Sequence, residues 1–175
     1  MPVMLIWVTG NSGTGKSSVC EVLKLQGRVA LDADFAGFNF WANRVTLERI
    51  DSPPNPVPPG WLTTNTWRID PGRVAALAAR AAETTAFLCG SVENEDEVWS
   101  LFDRVVCLVA DDQTLKHRLA ARTSNSFGKH PEELAAVMKW NPGLEATYRG
   151  YGATIVRADL PLSAVVRQVL NVADG

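Results

Sequence analysis

The stretch that decides the fold of this chain lies near its amino terminus and reads Gly10-Asn11-Ser12-Gly13-Thr14-Gly15-Lys16-Ser17. It matches the pattern G-x-x-x-x-G-K-[ST] without a gap. A loop that wraps around a polyphosphate must turn its backbone N–H groups inward, which requires backbone angles that only glycine adopts at little cost. Lys16 would bring a positive charge to the β- and γ-phosphates, and Ser17 would offer a hydroxyl to Mg²⁺. The pattern therefore predicts a phosphate-binding loop.

The residues on either side of this loop supply the context that it needs. An apolar run, Val3–Thr9, leads into it and is typical of a buried strand. The segment Ser17–Leu25 leads out of it with apolar residues at helical spacing, and the positive end of that helix would face the bound anion. We therefore predict that the loop binds the phosphates of ATP. The predicted nucleotide-binding residues in it are Gly10, Asn11, Ser12, Gly13, Thr14, Gly15, Lys16, Ser17 and Ser18.

The composition indicates a folded domain and limits the kinds of partner that we expect for it. Of the 175 residues, 46% are hydrophobic and 21% are charged, which is typical of a soluble globular protein. Seventeen basic and nineteen acidic residues leave a formal charge of -2, which argues against a nucleic-acid partner. The sequence contains no run of eighteen apolar residues, which is about the length that a membrane-spanning helix needs. The three cysteines lie in apolar runs, as buried reduced thiols do, and the amino terminus lacks a basic leader, so we expect a cytoplasmic protein without a membrane partner.

Five short apolar runs alternate with helical patterns along the chain. The runs are Val3–Thr9, Val29–Leu31, Ala86–Cys89, Val105–Val109 and Thr154–Val156. The helical segments are Ser17–Leu25, Arg73–Glu83, Gln113–Arg122, Glu132–Met138 and Leu162–Val172. Runs that are apolar on both faces fit parallel strands covered by helices. We therefore predict an α/β fold of the P-loop NTPase type, a three-layer sandwich in which a five-stranded parallel sheet has helices on both faces, and a single domain over residues 1–175.

Two segments interrupt the alternation. Asp51–Gly60 holds five of the ten prolines and predicts an extended loop, because proline fits neither a helix interior nor a central strand. It lies within an insertion at about residues 35–70, where we expect the substrate that accepts the phosphoryl group. Thr123–Pro131 is a polar stretch that follows a basic helix. We predict that this second segment is a short lid, mobile without nucleotide.

The phosphate loop by itself indicates nucleotide binding and not an activity. The chain has no Asn-Lys-x-Asp, which GTPases use to read guanine, and no Leu-Ser-Gly-Gly-Gln, which marks transporter ATPases. Motor ATPases need an apolar strand closed by an acidic residue, and Phe87-Leu88-Cys89-Gly90-Ser91 has none. By elimination, the small kinases remain.

Taken in order, these features resemble the adenylate kinase, shikimate kinase and gluconate kinase group of small P-loop kinases, which have the nucleoside monophosphate kinase-like fold. The resemblance covers nearly the whole length of the chain. It implies a phosphotransferase that moves the γ-phosphoryl of Mg-ATP to a hydroxyl or phosphate of a small metabolite. The alternative is a nucleotide-binding switch or assembly factor that hydrolyses ATP slowly and acts through a protein partner.

The second strand ends in Leu31-Asp32-Ala33-Asp34, which resembles the Asp-x-Asp of shikimate-type kinases. By that resemblance, Asp32 would hold a water of the Mg²⁺ ion, while Asp34 would contact the acceptor hydroxyl and accept its proton. A carboxylate opposite the γ-phosphate is chemically suited to both tasks, since phosphoryl transfer needs a placed metal and an aligned nucleophile. The alternative is that Asp34 only caps a helix over Phe35–Asn43.

The segment Lys116–Arg122 resembles the Arg-Leu-x-x-Arg helix that precedes the lid of nucleotide kinases. The resemblance implies that either Arg118 or Arg122 stacks on adenine and that the other, with Lys129, closes over the phosphates. Lys16, Asp34 and Arg122 are then the predicted catalytic residues. The alternative is a solvated helix face that is paired with acidic neighbours.

The insertion contains three tryptophans and three arginines, namely Trp41, Trp61, Trp67, Arg44, Arg49 and Arg68. Together they could form an aromatic and cationic pocket, which would favour a nucleoside monophosphate. We assign Asp34, Arg44, Trp67 and Arg68 to the acceptor. The alternative is that the tryptophans pack the proline-rich loop. After the third strand, the chain reads Cys89-Gly90-Ser91-Val92-Glu93-Asn94 and lacks the Asp-Gly-Phe-Pro-Arg of adenylate kinases, so the substrate of that family is not carried over.

Overall fold

The computed structural model describes residues 3–175, in which strands and helices alternate much as predicted. The elements are β1 (Leu5–Gly10), α1 (Lys16–Leu25), β2 (Val29–Asp32), β3 (Asn39–Asn43), β4 (Arg49–Ile50), α2 (Trp61–Thr64), β5 (Asn65–Ile69), α3 (Pro71–Arg80), β6 (Ala86–Cys89), β7 (Arg104–Val109), α4 (Asp112–Ala121), α5 (Pro131–Gly150), β8 (Thr154–Arg157) and α6 (Leu162–Asp174). Two short 3-10 helices, Glu95–Glu97 and Trp99–Leu101, lie between β6 and β7.

The main sheet contains all five of the predicted strands. Its order is β2-β6-β1-β7-β8, and each neighbouring pair is parallel. Side chains alternate along β1, so that Ile6 and Val8 pack with α1 and α6 on one face, while Leu5 and Trp7 pack with α3 on the other. The predicted three-layer α/β sandwich is confirmed. None of the helices in residues 3–175 is long and apolar enough to cross a membrane.

Helix α5 is much longer than the predicted segment Glu132–Met138, since it continues to Gly150. Pro142 lies inside it, although proline lacks an N–H group and usually ends a helix. The helix continues because both of its halves are anchored. Val137 is buried with leucines of α4, and Leu144 and Tyr148 pack on the core below the sheet. Tertiary packing therefore outweighs the missing hydrogen bond.

The insertion folds as a small antiparallel sheet that the sequence analysis did not predict. The order is β4-β3-β5, with Trp41 of β3 opposite both Ile50 and Trp67. The helix expected over Phe35–Asn43 is therefore wrong, because the chain turns at residues 33–37 and then extends as β3. This strand forms through pairing with β5, more than twenty residues away, and local spacing does not reveal such pairing. The proline-rich segment is a loop without helix or strand, as predicted.

Candidate active site

The carboxyl ends of the parallel strands meet at one edge of the main sheet, which is where α/β proteins of this type bind ligands. A cleft of about 1170 Å³ opens at this edge. The phosphate loop (residues 10–17), Asp34, residues 124–127 of the lid and one face of α5 all line it. The insertion contributes Trp41, Leu62 and Trp67 to the same cleft. The fold therefore brings the predicted nucleotide and acceptor regions to a single cavity.

The phosphate loop adopts the conformation that its glycines allow. Gly10 has a φ of 140°. A Cβ atom at that position would lie 2.3 Å from the carbonyl oxygen of Leu108 in β7, so only glycine fits there. Gly15 has a φ of 93° and directly precedes α1. The loop thus leads straight into a helix whose amino-terminal N–H groups and dipole favour an anion.

Lys16 lies folded over the phosphate loop. Its Nζ donates hydrogen bonds to the carbonyl oxygens of Gly10, at 2.7 Å, and Asn11, at 2.9 Å. Burial lowers the pKa of Lys16 to about 8, although the Asp34 carboxylate opposes this shift. The ammonium group is therefore mostly charged at neutral pH and is available to phosphate oxygens above the loop.

Ser17 and Asp32 form the pair that the sequence assigns to Mg²⁺. The Ser17 hydroxyl donates to Asp32 Oδ2 at 2.7 Å, and Asp32 is only 7% exposed. Asp32 Oδ1 accepts hydrogen bonds from the backbone N–H groups of Asp34 and Phe35, which fixes the carboxylate. A hydroxyl and a carboxylate are the hard oxygen donors that Mg²⁺ prefers. No group of three or more acidic, histidine or cysteine side chains suited to a metal occurs in the described residues, and Mg²⁺ ordinarily completes its coordination with phosphate and water oxygens.

Asp34 projects from the turn after β2 into the cleft. Asn39 Nδ2 donates to its Oδ1 at 2.6 Å. Asp34 keeps exposed surface in the cleft, but the surrounding walls displace water from its carboxyl and raise its pKa. The hydrogen bond from Asn39 and the charge of Lys16 lower that pKa, and the charge of Asp32 raises it further. Since no helix follows Asp34, the alternative role as a helix cap is excluded. The carboxylate is held in place and faces the same cavity as Lys16.

Arg118 of α4 and Arg122, which directly follows that helix, contact the phosphate loop from the side. The Arg118 guanidinium donates to the carbonyl oxygens of Ala158, at 2.7 Å, and Thr14, at 3.4 Å. Arg122 donates to Ser12 Oγ at 3.4 Å, and its Nε is buried without a hydrogen-bond partner in the described chain. Within residues 3–175, neither arginine forms an ion pair, so the solvated-face alternative does not describe them. Both line the cleft.

The lid is a short loop that lies between α4 and α5. Arg122 donates to the carbonyl oxygen of Phe127, and the buried carboxylate of Glu133 accepts from the N–H of Gly128 at 2.8 Å. Lys129, which was expected to close over the phosphates, is exposed and does not line the cleft. Arg122, which precedes the lid, is therefore the cation that contacts both the lid and the phosphate loop.

The structure separates the residues that were assigned to the acceptor. Asp34 and Trp67 line the cleft, whereas Arg44 and Arg68 do not. Arg44 forms a two-pronged ion pair with Glu93, at 2.6 and 3.2 Å, and Arg68 pairs with Glu97. The segment after β6, which departs from the adenylate kinase pattern, thus binds the two arginines of the insertion.

One polar residue beside the site, Glu95, was not identified from the sequence. Glu95 accepts hydrogen bonds from Trp7 Nε1 at 2.9 Å, from Thr9 Oγ1 at 2.6 Å and from the Tyr148 hydroxyl, and burial raises its pKa. Asn11 Nδ2 donates to the carbonyl oxygen of Val137 at 2.8 Å, which ties the phosphate loop to α5. No local motif marks Glu95, because its partners come from distant elements, whereas Asn11 was predicted as a nucleotide-binding residue and only its contact with α5 was not.

Comparison with known proteins places the fold. No model of a known protein family matches the sequence, and no curated protein matches it. Among solved structures, a gluconokinase from Sinorhizobium meliloti 1021 is 22% identical, covers 97% of this chain and 91% of its own, and superposes with a TM-score of 0.56. A shikimate kinase from Bacteroides thetaiotaomicron is 14% identical, covers 98% of both chains and has a TM-score of 0.58.

A deoxyadenosine kinase from M. mycoides with bound dATP is 13% identical, covers 98% of this chain and 100% of its own, and has a TM-score of 0.53. These neighbours are P-loop kinases of the nucleoside monophosphate kinase-like fold. The chain has that fold, and the predicted fold class is confirmed.

Proposed function

We propose that this protein is an ATP-dependent kinase that transfers the γ-phosphoryl of Mg-ATP to a hydroxyl or phosphate of a small metabolite. The observation that carries the proposal is that Asp34 opens onto the same cleft as the phosphate loop and Lys16. The fold of the kinase neighbours supports it. A protein that only bound nucleotide would have no need for a held carboxylate in that position.

Nucleotide binding would rely on the backbone of residues 10–18 and on three cations. N–H groups of the loop would donate to the phosphates, and Lys16 would turn from its carbonyl partners toward the β- and γ-oxygens. Arg122 lies beside Ser12 and would neutralise charge that develops on the transferring group. Arg118 links the phosphate loop to Ala158 and would border the base. In this arrangement, the chain's contribution is positioning and charge neutralisation.

Ser17 and Asp32 would hold Mg²⁺, directly or through a water molecule. The ion would neutralise charge on the β- and γ-phosphates. In the structure, the two side chains already share a hydrogen bond, so their oxygens lie close enough to serve one site. Backbone N–H groups fix the remaining carboxylate oxygen of Asp32. This arrangement leaves Ser17 free to exchange its partner.

Asp34 would orient the acceptor and take its proton. Asn39 holds one carboxylate oxygen and lowers the pKa of Asp34 against the effect of burial, which keeps the charged form accessible. Because the transition state of phosphoryl transfer is loose, alignment of the acceptor oxygen contributes more than strong basicity does. Closure of the lid would exclude water, which otherwise competes as the acceptor.

The test is Asp34→Asn, assayed for both ATP binding and acceptor-dependent ADP formation. We expect the variant to bind Mg-ATP as the wild type does and to lose at least about 10²-fold in transfer, the range of a general acid–base contribution. Asp174→Asn, an exposed change near the end of α6, serves as the matched control and should behave as the wild type.

If Asp34→Asn keeps full acceptor-dependent ADP formation, the assignment of Asp34 fails. If the wild type releases ADP at the same slow rate with every nucleoside, nucleotide, sugar and cyclitol offered, the nucleotide-binding switch replaces the kinase.

A further inference from the structure

The part of the cleft that the insertion forms is aromatic. Trp41 and Trp67 both line it, with ring centroids 5.0 Å apart and planes tilted by 53°. Phe35 follows Asp34 in the chain, also lines the cleft and is 76% exposed. Exposed aromatic rings in a cleft are suited to binding a flat apolar face. The reactive carboxylate is therefore bordered by rings.

The arginines of the insertion are held away from this surface by carboxylates and carbonyl groups. Arg44 donates to both carboxylate oxygens of Glu93, and its Nη2 also donates to the carbonyl oxygens of Leu62, at 3.0 Å, and Asn65, at 2.9 Å. These contacts occupy most of the donors that a guanidinium offers. Arg44 therefore supports the insertion and is not free to bind a substrate anion.

The other two arginines have partners as well. Arg68 pairs with Glu97 and is partly buried. Arg49 lies over the ring of Phe40, 4.8 Å from its centroid, and pairs with Asp51 at 3.3 Å. None of the three arginines lines the cleft. Two acidic side chains from outside the insertion do line it, namely Asp34 and Glu93, the second of which is paired with Arg44.

The cations that do line the cleft belong to other elements. Lys16, Arg118 and Arg122 surround the phosphate loop. Lys139 is on α5, within two residues of Val137, whose carbonyl oxygen accepts from Asn11 of the phosphate loop. Among the described residues, the insertion thus presents rings and no cation to the cleft, and the carboxylates of Asp34 and Glu93 line the cleft beside it. A carboxylate or phosphate on the acceptor would lie near the like charge of Asp34 and would find no free cation of the insertion there.

We propose, on the basis of the kinase function above, that the acceptor is a hydroxyl compound with a flat apolar face and no anionic group, a neutral or amino-bearing ring compound. The ring face would stack on Trp41, Trp67 and Phe35 and place its hydroxyl at Asp34. The oxygen of that hydroxyl forms the new bond to the γ-phosphorus, the bond to the bridging oxygen of ADP breaks, and the hydroxyl proton passes to Asp34. An amino group on the acceptor would be attracted by the rings.

The experiment offers the wild-type protein pairs of acceptors that differ mainly in one anionic group. The pairs are adenosine with adenosine monophosphate, and the methyl ester of shikimate with shikimate. Transfer is measured as acceptor-dependent ADP formation, and binding is measured separately by quenching of tryptophan fluorescence. In at least one pair we expect the neutral member to be preferred by about tenfold or more in kcat/KM, because the anion meets a like charge without a partner.

Two variants change the charge of the acceptor region. Glu93→Gln frees Arg44, so it should reduce the preference for the neutral member several-fold, while Glu83→Gln, exposed after α3, is the matched control and should leave the preference unchanged. Lys139→Met tests the cation on α5 and should not alter the preference. If Glu93→Gln does not fold, the comparison of each pair with the wild-type protein still tests whether the neutral acceptor is preferred.

The outcomes separate this inference from the kinase proposal. If the anionic member of every pair is the better acceptor, the inference is overturned while the kinase stands. The same conclusion follows if anions are preferred and Lys139→Met removes that preference. If no compound increases ADP formation but neutral rings quench tryptophan fluorescence, the kinase proposal fails and the binding preference survives. If neither transfer nor quenching occurs with the neutral members, both fail.

Discussion

The phosphate loop and the insertion lie on one cleft, but they differ in how their cations are used. In the phosphate-loop region, Lys16, Arg118 and Arg122 contact mostly carbonyl and hydroxyl oxygens, which a phosphate can replace. In the insertion, Arg44 and Arg68 are bound by carboxylates. The first arrangement receives an anion, whereas the second has already neutralised its own charge. The comparison teaches that the number of arginines near a cleft does not give the charge of its ligand.

The largest effect is expected from Lys16→Ala, which removes the central cation of the phosphate-loop region. We predict that the rate of phosphoryl transfer falls by at least about 10²-fold, as it does when other preorganised electrostatic groups are removed. Mg-ATP at a hundred times its dissociation constant should stabilise the wild type by about 2.7 kcal/mol and the variant far less. Thermal unfolding with and without Mg-ATP measures this. Lys24→Ala, on the exposed side of α1, is the control, and equal stabilisation of both variants would contradict the role of Lys16.

The next effect concerns Glu95, which joins β1 to α5 through hydrogen bonds beside the phosphate-loop region. Glu95→Ala leaves the Trp7, Thr9 and Tyr148 donors without their partner, so the free energy of unfolding should fall by about 1–3 kcal/mol. Glu95→Gln keeps an acceptor oxygen and removes the charge. At pH 8 its free energy of unfolding should therefore fall less than that of the alanine variant. Denaturant unfolding measures both, and equal losses would show that the hydrogen bonds are unimportant.

The same residue gives the stability a pH dependence. Burial raises the pKa of Glu95 in the folded protein, so the folded state binds this proton more tightly than the unfolded chain does. The contribution of this group to stability is therefore present below its unfolded pKa and is lost as the pH rises through the folded pKa. Between pH 4 and pH 8, the wild type should lose stability relative to Glu95→Gln. A constant difference between the two would contradict the assignment.

A smaller effect is expected at the acceptor region from Asn39→Leu. Asn39 lowers the pKa of Asp34, so its removal should raise that pKa and shift the acidic limb of the kcat/KM profile to higher pH. Activity would decrease most at the acidic end of the profile and least at high pH, with unchanged affinity for Mg-ATP. Asn171→Leu on the exposed side of α6 should leave the profile in place. An unchanged limb in Asn39→Leu would show that Asp34 is not the titrating group.

The smallest effect concerns the lid, residues 123–131, which we predict to be mobile without nucleotide. Its hydrogen bonds are few and include those from Arg122 to Phe127 and from Gly128 to Glu133. Amide hydrogen exchange in this segment should slow when a non-hydrolysable Mg-ATP analogue binds, while exchange in the proline-rich loop should change less. Equal, slow exchange in the free protein would contradict a closing lid.

The phosphate-loop region could be predicted from sequence because its constraints are local. Gly10 must be glycine for backbone reasons, and the strand before it and the helix after it are adjacent in the chain. All five strands of the main sheet were predictable since each is a continuous apolar run. Helix α5 was predicted too short, because its course past Pro142 depends on Leu144 and Tyr148 packing against the core.

The insertion could not be predicted in the same way. Strand β3 forms through pairing with β5, and Phe35–Asn43 carries no local signal that excludes a helix. The aromatic residues were recognised, but their neighbours were not. Glu93 reaches Arg44 from a loop that is 49 residues away in sequence. The charge of the acceptor region therefore follows from tertiary pairing.

The most direct test of the kinase proposal follows the γ-phosphoryl group itself. Wild-type protein is incubated with Mg-ATP labelled at the γ-phosphorus and with the mixture of neutral acceptors, and the products are separated by mass. The account predicts that label appears on an acceptor hydroxyl and that this transfer disappears in Asp34→Asn. Label found only in inorganic phosphate, at a rate that no acceptor changes, would contradict it.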